Sequence, residues 1–94
     1  MTAPIQVRLA TPVDTPEIVA FNQAMALETE DKVLADGVVS AGVCRVFTEP
    51  VLGFYLVAEE AETVIGTLMV TKEWSDWRNG VFWWIQSVYV TREC

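Results

Sequence analysis

Val81-Phe82-Trp83-Trp84-Ile85-Gln86-Ser87-Val88-Tyr89-Val90 is an almost unbroken apolar, β-prone run, and only Thr91-Arg92-Glu93-Cys94 follow it. Strict alternation puts Val81, Trp83, Ile85 and Tyr89 on one face, and Phe82, Trp84, Val88 and Val90 on the other. A strand that is apolar on both faces is normally buried on both and flanked on both edges. Two outcomes are expected. Either the sheet ends at its most apolar strand, or another chain completes it.

Reading outward, Ser75-Asp76-Trp77-Arg78-Asn79-Gly80 holds a turn whose Asn-Gly pair can take positive φ. Before it, the spacing predicts strands over 63–73 and 53–59, joined by the polar turn Glu60-Ala61-Glu62. With the final strand over 81–91, these make an antiparallel meander. A helix is predicted over 36–48, with Val39, Val43, Val46 and Phe47 as its apolar stripe and Pro50 just beyond. Gly37 and Gly42 weaken it. A longer helix over 12–29 starts with Thr11 as N-cap, Pro12 at the first helical position and Asp14 three residues after the cap. Ile18, Phe21, Ala24 and Met25 form its inward stripe. Ile5-Gln6-Val7-Arg8-Leu9 alternates apolar and polar residues, which predicts a first strand over 5–9 with one buried face. The fold class is α+β, in the order β-α-α-β-β-β, with a mostly antiparallel sheet. The 94 residues suit a single domain, and no linker, repeat or low-complexity tract interrupts them.

Composition narrows the function. A net charge of −7 without histidine argues against nucleic acid, whose phosphates require clustered Lys and Arg. An acidic surface serves solubility and could also attract a cationic small molecule. The longest wholly apolar run, Val81–Ile85, is far short of the ~20 residues of a membrane span. The N-terminus lacks a signal-peptide pattern. Cys44 and Cys94 follow no disulfide or metal spacing, which points to a reducing cytoplasm, with no Cys44–Cys94 bridge and no metal site.

In this order the segments resemble the N-terminal half of a GNAT-type (GCN5-related) N-acetyltransferase. The resemblance rests on three stretches: Val7-Arg8-Leu9-Ala10-Thr11-Pro12-Val13-Asp14; Leu56-Val57-Ala58-Glu59 before Val64-Ile65-Gly66; and Ile85-Gln86-Ser87-Val88-Tyr89-Val90. Trp74 to Val90 is similar to the corresponding region of polyamine and diamine acetyltransferases. The resemblance implies that acetyl-CoA lays its pantetheine arm along backbone groups of Val88, Tyr89 and Val90. It also implies that a Gly-rich loop at a helix N-terminus should follow and hold the pyrophosphate. Thr91-Arg92-Glu93-Cys94 does not match that loop, so the C-terminal half is absent from these residues.

The intact parent is expected to move acetyl from acetyl-CoA to a primary amine, with this chain inactive by itself. Whether the chain is an enzyme stays open. The alternatives are a non-enzymatic, dimerising interaction module or one part of a split acetyltransferase. The expected partner is accordingly a second copy across the Val81–Val90 edge, or a complementing C-terminal half.

The resemblance puts four residues near the acceptor. Glu28 and Glu30, with Asp31, could hold a cationic amine by charge-assisted hydrogen bonds, and they equally fit a solvated acidic loop. Gln86 could orient the amine, but an amide cannot take its proton. Trp77, in a turn between Asp76 and Arg78, could offer its ring face to an ammonium group, whereas Trp83 and Trp84 suit a core. No catalytic residue is assigned. Cys44 has no histidine to activate it.

Overall fold

A computed structural model describes residues 4–91. The strands are β1 (Ile5–Leu9), β2 (Gly53–Glu60), β3 (Thr63–Ser75) and β4 (Gly80–Val90), and the helices are α1 (Thr15–Glu30) and α2 (Asp36–Thr48). The order β-α-α-β-β-β is the expected one, and the four strands form one antiparallel sheet in the order β1-β2-β3-β4. Among the described residues, the sheet therefore ends at β4. Cys94 lies outside the described residues, so the pairing expectation for it lies there too.

The chain enters α1 through a short 3-10 turn, Pro12–Asp14. Asp14 accepts the Thr11 backbone N–H at 2.8 Å and a two-pronged contact from the Arg8 guanidinium at 2.8 and 3.0 Å. Arg8 also reaches Glu59 at 3.2 Å, so one cation ties β1, β2 and the start of α1 together. The Arg8 hydrogen bonds hold the Asp14 carboxyl below its usual range against the opposing effect of burial, and the Thr11 N–H adds to them. Asp31 closes α1 in the left-handed conformation (φ 52°), a position usually given to Gly or Asn. The β2–β3 hairpin turns on Ala61 and Glu62, both at positive φ. Gly53 (φ 148°) cannot be replaced, because a Cβ there would collide with the Val70 carbonyl oxygen.

Both helices cover one face of the sheet. Ile18 and Val19 of α1 and Val43 of α2 are buried against Tyr55 and Val57 of β2, with Val39, Val46, Phe47 and Met69 packed around them. The stripe expected on α2 is the one used. On α1 the most deeply buried positions are Ile18, Val19 and Ala26, whereas Phe21, Ala24 and Met25 are only half-buried.

No described helix covers the opposite face: Val70 is buried there between its strand neighbours, but the outer strands β1 and β4 are open, and three expectations are corrected. Register pairs Val7 with Ala58 and Leu9 with Leu56, while Arg8 pairs with the buried Val57. So the apolar residues of β1 face away from the helices, with Val7 66% exposed, and the polar Arg8 points beneath them. The reason is electrostatic: Asp14 and Glu59 both lie on the helix side, and Arg8 engages both of them there.

β4 is likewise exposed along most of its length instead of buried on both faces. Trp83 meets Phe54 edge-on with centroids 5.5 Å apart, and the Trp84 indole N–H donates to Glu73 at 2.6 Å, yet neither tryptophan is core. The third correction concerns Tyr89. Between the pairs Met69–Gln86 and Thr67–Tyr89, β4 carries one residue more than β3, and Ser87 takes φ 55°. This β-bulge reverses the alternation, so Tyr89 shares the helix-side face with Trp84 and Gln86, not the open face with Trp83 and Ile85.

Candidate active site

The bulge also borders a cavity of about 530 Å³ between the helices and the sheet. Small-molecule sites commonly enclose ~300–1,000 Å³. Its walls are mostly apolar: Met25 and Ala26 from α1, Leu34 from the connecting loop, Val39, Val43 and Val46 from α2, and Met69 from β3. Leu34 is fixed there by Gln23, whose amide donates to the Leu34 carbonyl at 2.9 Å and accepts its N–H at 3.0 Å. Gly42 leaves one wall recessed, since a Cβ built on it would meet nothing within 4 Å.

Five lining residues are polar: Asn22, Thr29, Glu30, Tyr55 and Ser87. Burial pushes the Tyr55 phenol up from its ordinary value, with a hydrogen bond from Asn22 acting against it. The ring stays neutral at physiological pH and serves as a hydrogen-bonding group. The Asn22 Oδ1 is buried and accepts no hydrogen bond from the protein.

Of the residues read from the sequence, Glu30 lines this cavity. Glu28 lies beside it on α1 and accepts the Tyr89 hydroxyl at 2.6 Å, while the Tyr89 ring stacks obliquely on Phe21 at 5.4 Å. A residue expected to face the amine and one expected to face the cofactor are thus joined through side chains. Gln86 adjoins Ser87 but donates its amide to Thr71 at 2.6 Å. Trp77 stands 96% exposed in the turn at the far end of β4 and lines none of the cavity. Val88 and Val90 are exposed, and Val90 pairs with Gly66 of β3.

Beyond Tyr89, the Thr91 N–H donates to the Ile65 carbonyl at 2.9 Å. By the alternation of an antiparallel ladder, the Val90 backbone then faces the outer edge of β4, where no described strand pairs. A strand-like arm such as pantetheine fits that edge. Among the described residues, no group of His, Cys, Asp or Glu could hold a metal, and no helix is long and apolar enough to cross a membrane.

Asn22, Gln23, Gly42 and Tyr55 were not read from the sequence as site residues. Asn22 did carry a signal: it sits four residues after Ile18 and four before Ala26, a polar residue within a buried stripe. Gln23 carried none, because its partner is an unremarkable loop backbone.

No family model and no curated protein matches the chain. Solved structures do. A possible acetyltransferase from Clostridium difficile 630 superposes with a TM-score of 0.91 at 44% identity, over 95% of this chain and 59% of that one. A predicted acetyltransferase from Clostridium acetobutylicum, solved with acetyl-CoA, gives 0.78 at 17% identity over 96% and 62%. A GCN5-related N-acetyltransferase from Ralstonia eutropha JMP134 gives 0.76 at 13% identity over 96% and 64%. The latter two likenesses concern fold only. The chain spans about three-fifths of the length of these proteins. By its likeness in sequence to the first and in fold to all three, it belongs to the GNAT-type N-acetyltransferase superfamily, as a half-domain of that fold.

Proposed function

We propose that the domain this chain helps to form transfers acetyl from acetyl-CoA to a primary amine, with the acceptor lodged in the cavity between α1, α2 and the sheet. One observation carries the reading: the cavity opens beside Ser87, and the β4 edge suited to a pantetheine arm begins just after it. Acceptor and thioester would meet at residues 87–90. Acetyl-CoA supplies the activated acyl group when bound. The chain's own part is to orient the amine, exclude water through its apolar walls and hold the β4 edge in place through the Tyr89–Glu28 contact. No lining residue is assigned as base, and attack by the neutral amine needs none within these residues.

Most acetyl-CoA affinity in this architecture comes from the phosphates, and no Gly-rich loop follows Val90 in these 94 residues. The chain by itself is therefore proposed to be inactive. The test is a chimera that joins it to the remaining portion of the Clostridium difficile relative. With acetyl-CoA and a mixed panel of primary amines, thiol release should be enzyme-dependent for the chimera and at background for the 94-residue chain. A folded chimera silent with every amine contradicts the transfer reading. Sustained turnover by the chain contradicts its proposed inactivity.

A second reading is favoured by the bare face. Val7, Leu9, Val81, Trp83, Ile85 and Val90 are all more than half exposed there. Together they present on the order of 800 Å², above the few hundred Å² usual for a monomer's largest patch and close to one side of a standard interface. The occupant we propose for the 94-residue chain is a second copy, continuous with pairing along β4, where no proline guards the edge. Ile85→Lys should dissociate it in light scattering coupled to size exclusion. A stable monomer of the unmodified chain at micromolar concentration contradicts it.

A further inference from the structure

The polar groups of the cavity are few, and most are already engaged. The Asn22 amide and the buried Tyr55 hydroxyl are hydrogen-bonded to each other, and the Thr29 hydroxyl donates to the Met25 carbonyl at 2.7 Å. Among the described residues this leaves the Glu30 carboxylate and the Ser87 hydroxyl for a ligand. No Lys or Arg stands in the lining, so the carboxylate of an amino acid would enter without a cation to receive it. A sugar would bury its hydroxyls against aliphatic and thioether side chains, which make up seven of the walls. A polyamine carries a cation every few atoms and needs several carboxylates along its length. This lining offers one, and Glu28, the neighbouring acid, already accepts the Tyr89 hydroxyl at 2.6 Å.

Resting on the reading of this cavity as the acceptor site, we infer that its acceptor is a monoamine with an apolar body, of the arylalkyl class, carrying no second charge. The ammonium meets Glu30, exposed at the end of α1, and the body lies among Met25, Val43 and Met69. A volume of about 530 Å³ has room for an aromatic ring, and the thioethers of Met25 and Met69 make favourable contact with one. Selectivity then comes from two sources. The ring gains from leaving water, and any added charge loses its hydration with no partner in the walls.

Phenethylamine is the probe: ethylamine lacks its ring, L-phenylalanine adds a carboxylate, and spermidine adds cations. Calorimetric titration of the 94-residue chain, without acetyl-CoA, should give phenethylamine at least about tenfold tighter than ethylamine or L-phenylalanine. Spermidine at physiological ionic strength should not displace it. Glu30→Gln should weaken phenethylamine about threefold, most clearly at low salt; the side chain is exposed, so this variant is expected to fold. Ile85→Lys should leave the affinity unchanged, which separates binding in the cavity from binding on the open sheet face. The inference is overturned by no binding of phenethylamine, by equal affinity of ethylamine or L-phenylalanine, or by displacement with spermidine. Binding that ignores Glu30→Gln or is lost in Ile85→Lys overturns it as well. The chimera keeps the two readings apart. Turnover of spermidine without phenethylamine would sink this inference and leave acetyl transfer standing, whereas the expected binding pattern with a folded but silent chimera would do the reverse.

Discussion

The two faces of the sheet are built from similar residues and end in opposite conditions. On the helix side, Val57 is 1% exposed and Ile18 lies against it at 0%. On the other side Ile85, as apolar as Ile18, is 67% exposed. Hydropathy along a strand therefore shows that a face could be buried, not that these residues bury it. What decides between the faces here is polar: Arg8, Asp14 and Glu59 engage one another on the helix side, and the apolar partners of Arg8 in β1 are left facing outward.

The comparison is broken most severely by the same change on each side. Ile18→Ala should destabilise the fold by about 2–5 kcal/mol, whereas Ile85→Ala should move monomer stability by no more than about 0.5 kcal/mol. Urea unfolding of both variants at low protein concentration is the check. Equal losses would mean that Ile85 is buried in the working state of the protein.

Next in size is the polar group that orients the faces. Asp14→Asn weakens both prongs of the Arg8 contact and should cost about 1–2 kcal/mol at neutral pH, with the exposure of Arg8 limiting the figure. The sign of its pH dependence follows from the lowered Asp14 pKa. The stabilisation is fully present above the ordinary value of 3.8 and fades as pH falls through the lower folded one. The stability gap between variant and parent should therefore narrow in acid. A gap that widens below pH 3.8 contradicts the assignment.

A smaller effect is expected where neither face is involved. Ala61 and Glu62 both hold positive φ, which Asn-Gly adopts with less strain, so the Ala61→Asn, Glu62→Gly pair should stabilise by about 1 kcal/mol in thermal melts. Smallest of all is Trp77→Ala, expected to leave both stability and binding of a primary amine unchanged. A loss of amine affinity there would return the turn to the site.

Much of the fold was legible in the sequence because it rests on local signals. Thr11-Pro12 opening a helix, Pro50 past the end of α2 and the turns around Ala61 and Asn79 are short-range chemistry, and the element order followed from them. The face of Tyr89 was not legible: a single extra residue at Ser87 reverses the alternation, and serine carries no glycine-like mark of a positive φ. The burial of Trp83 and Trp84 was misread for a related reason. Propensity and hydropathy describe a strand, whereas its cover depends on residues elsewhere. The cavity was half legible. Glu30 was found through charge, but Asn22 and Tyr55 line the cavity together only because α1 packs on β2, a contact between residues far apart in the chain.

The central claim is that the covered face holds the ligand and the bare face holds a second copy. One amide-resolved NMR measurement on the 94-residue chain tests both halves, by titrating phenethylamine, a primary amine with an apolar body, at fixed protein concentration and then diluting the protein without it. The account predicts two separate sets of shifts. The amine should move Asn22, Met25, Tyr55 and Met69, and dilution should move Val7, Trp83 and Ile85. Amine-induced shifts on the open face, dilution shifts at the cavity, or no response to dilution would contradict it.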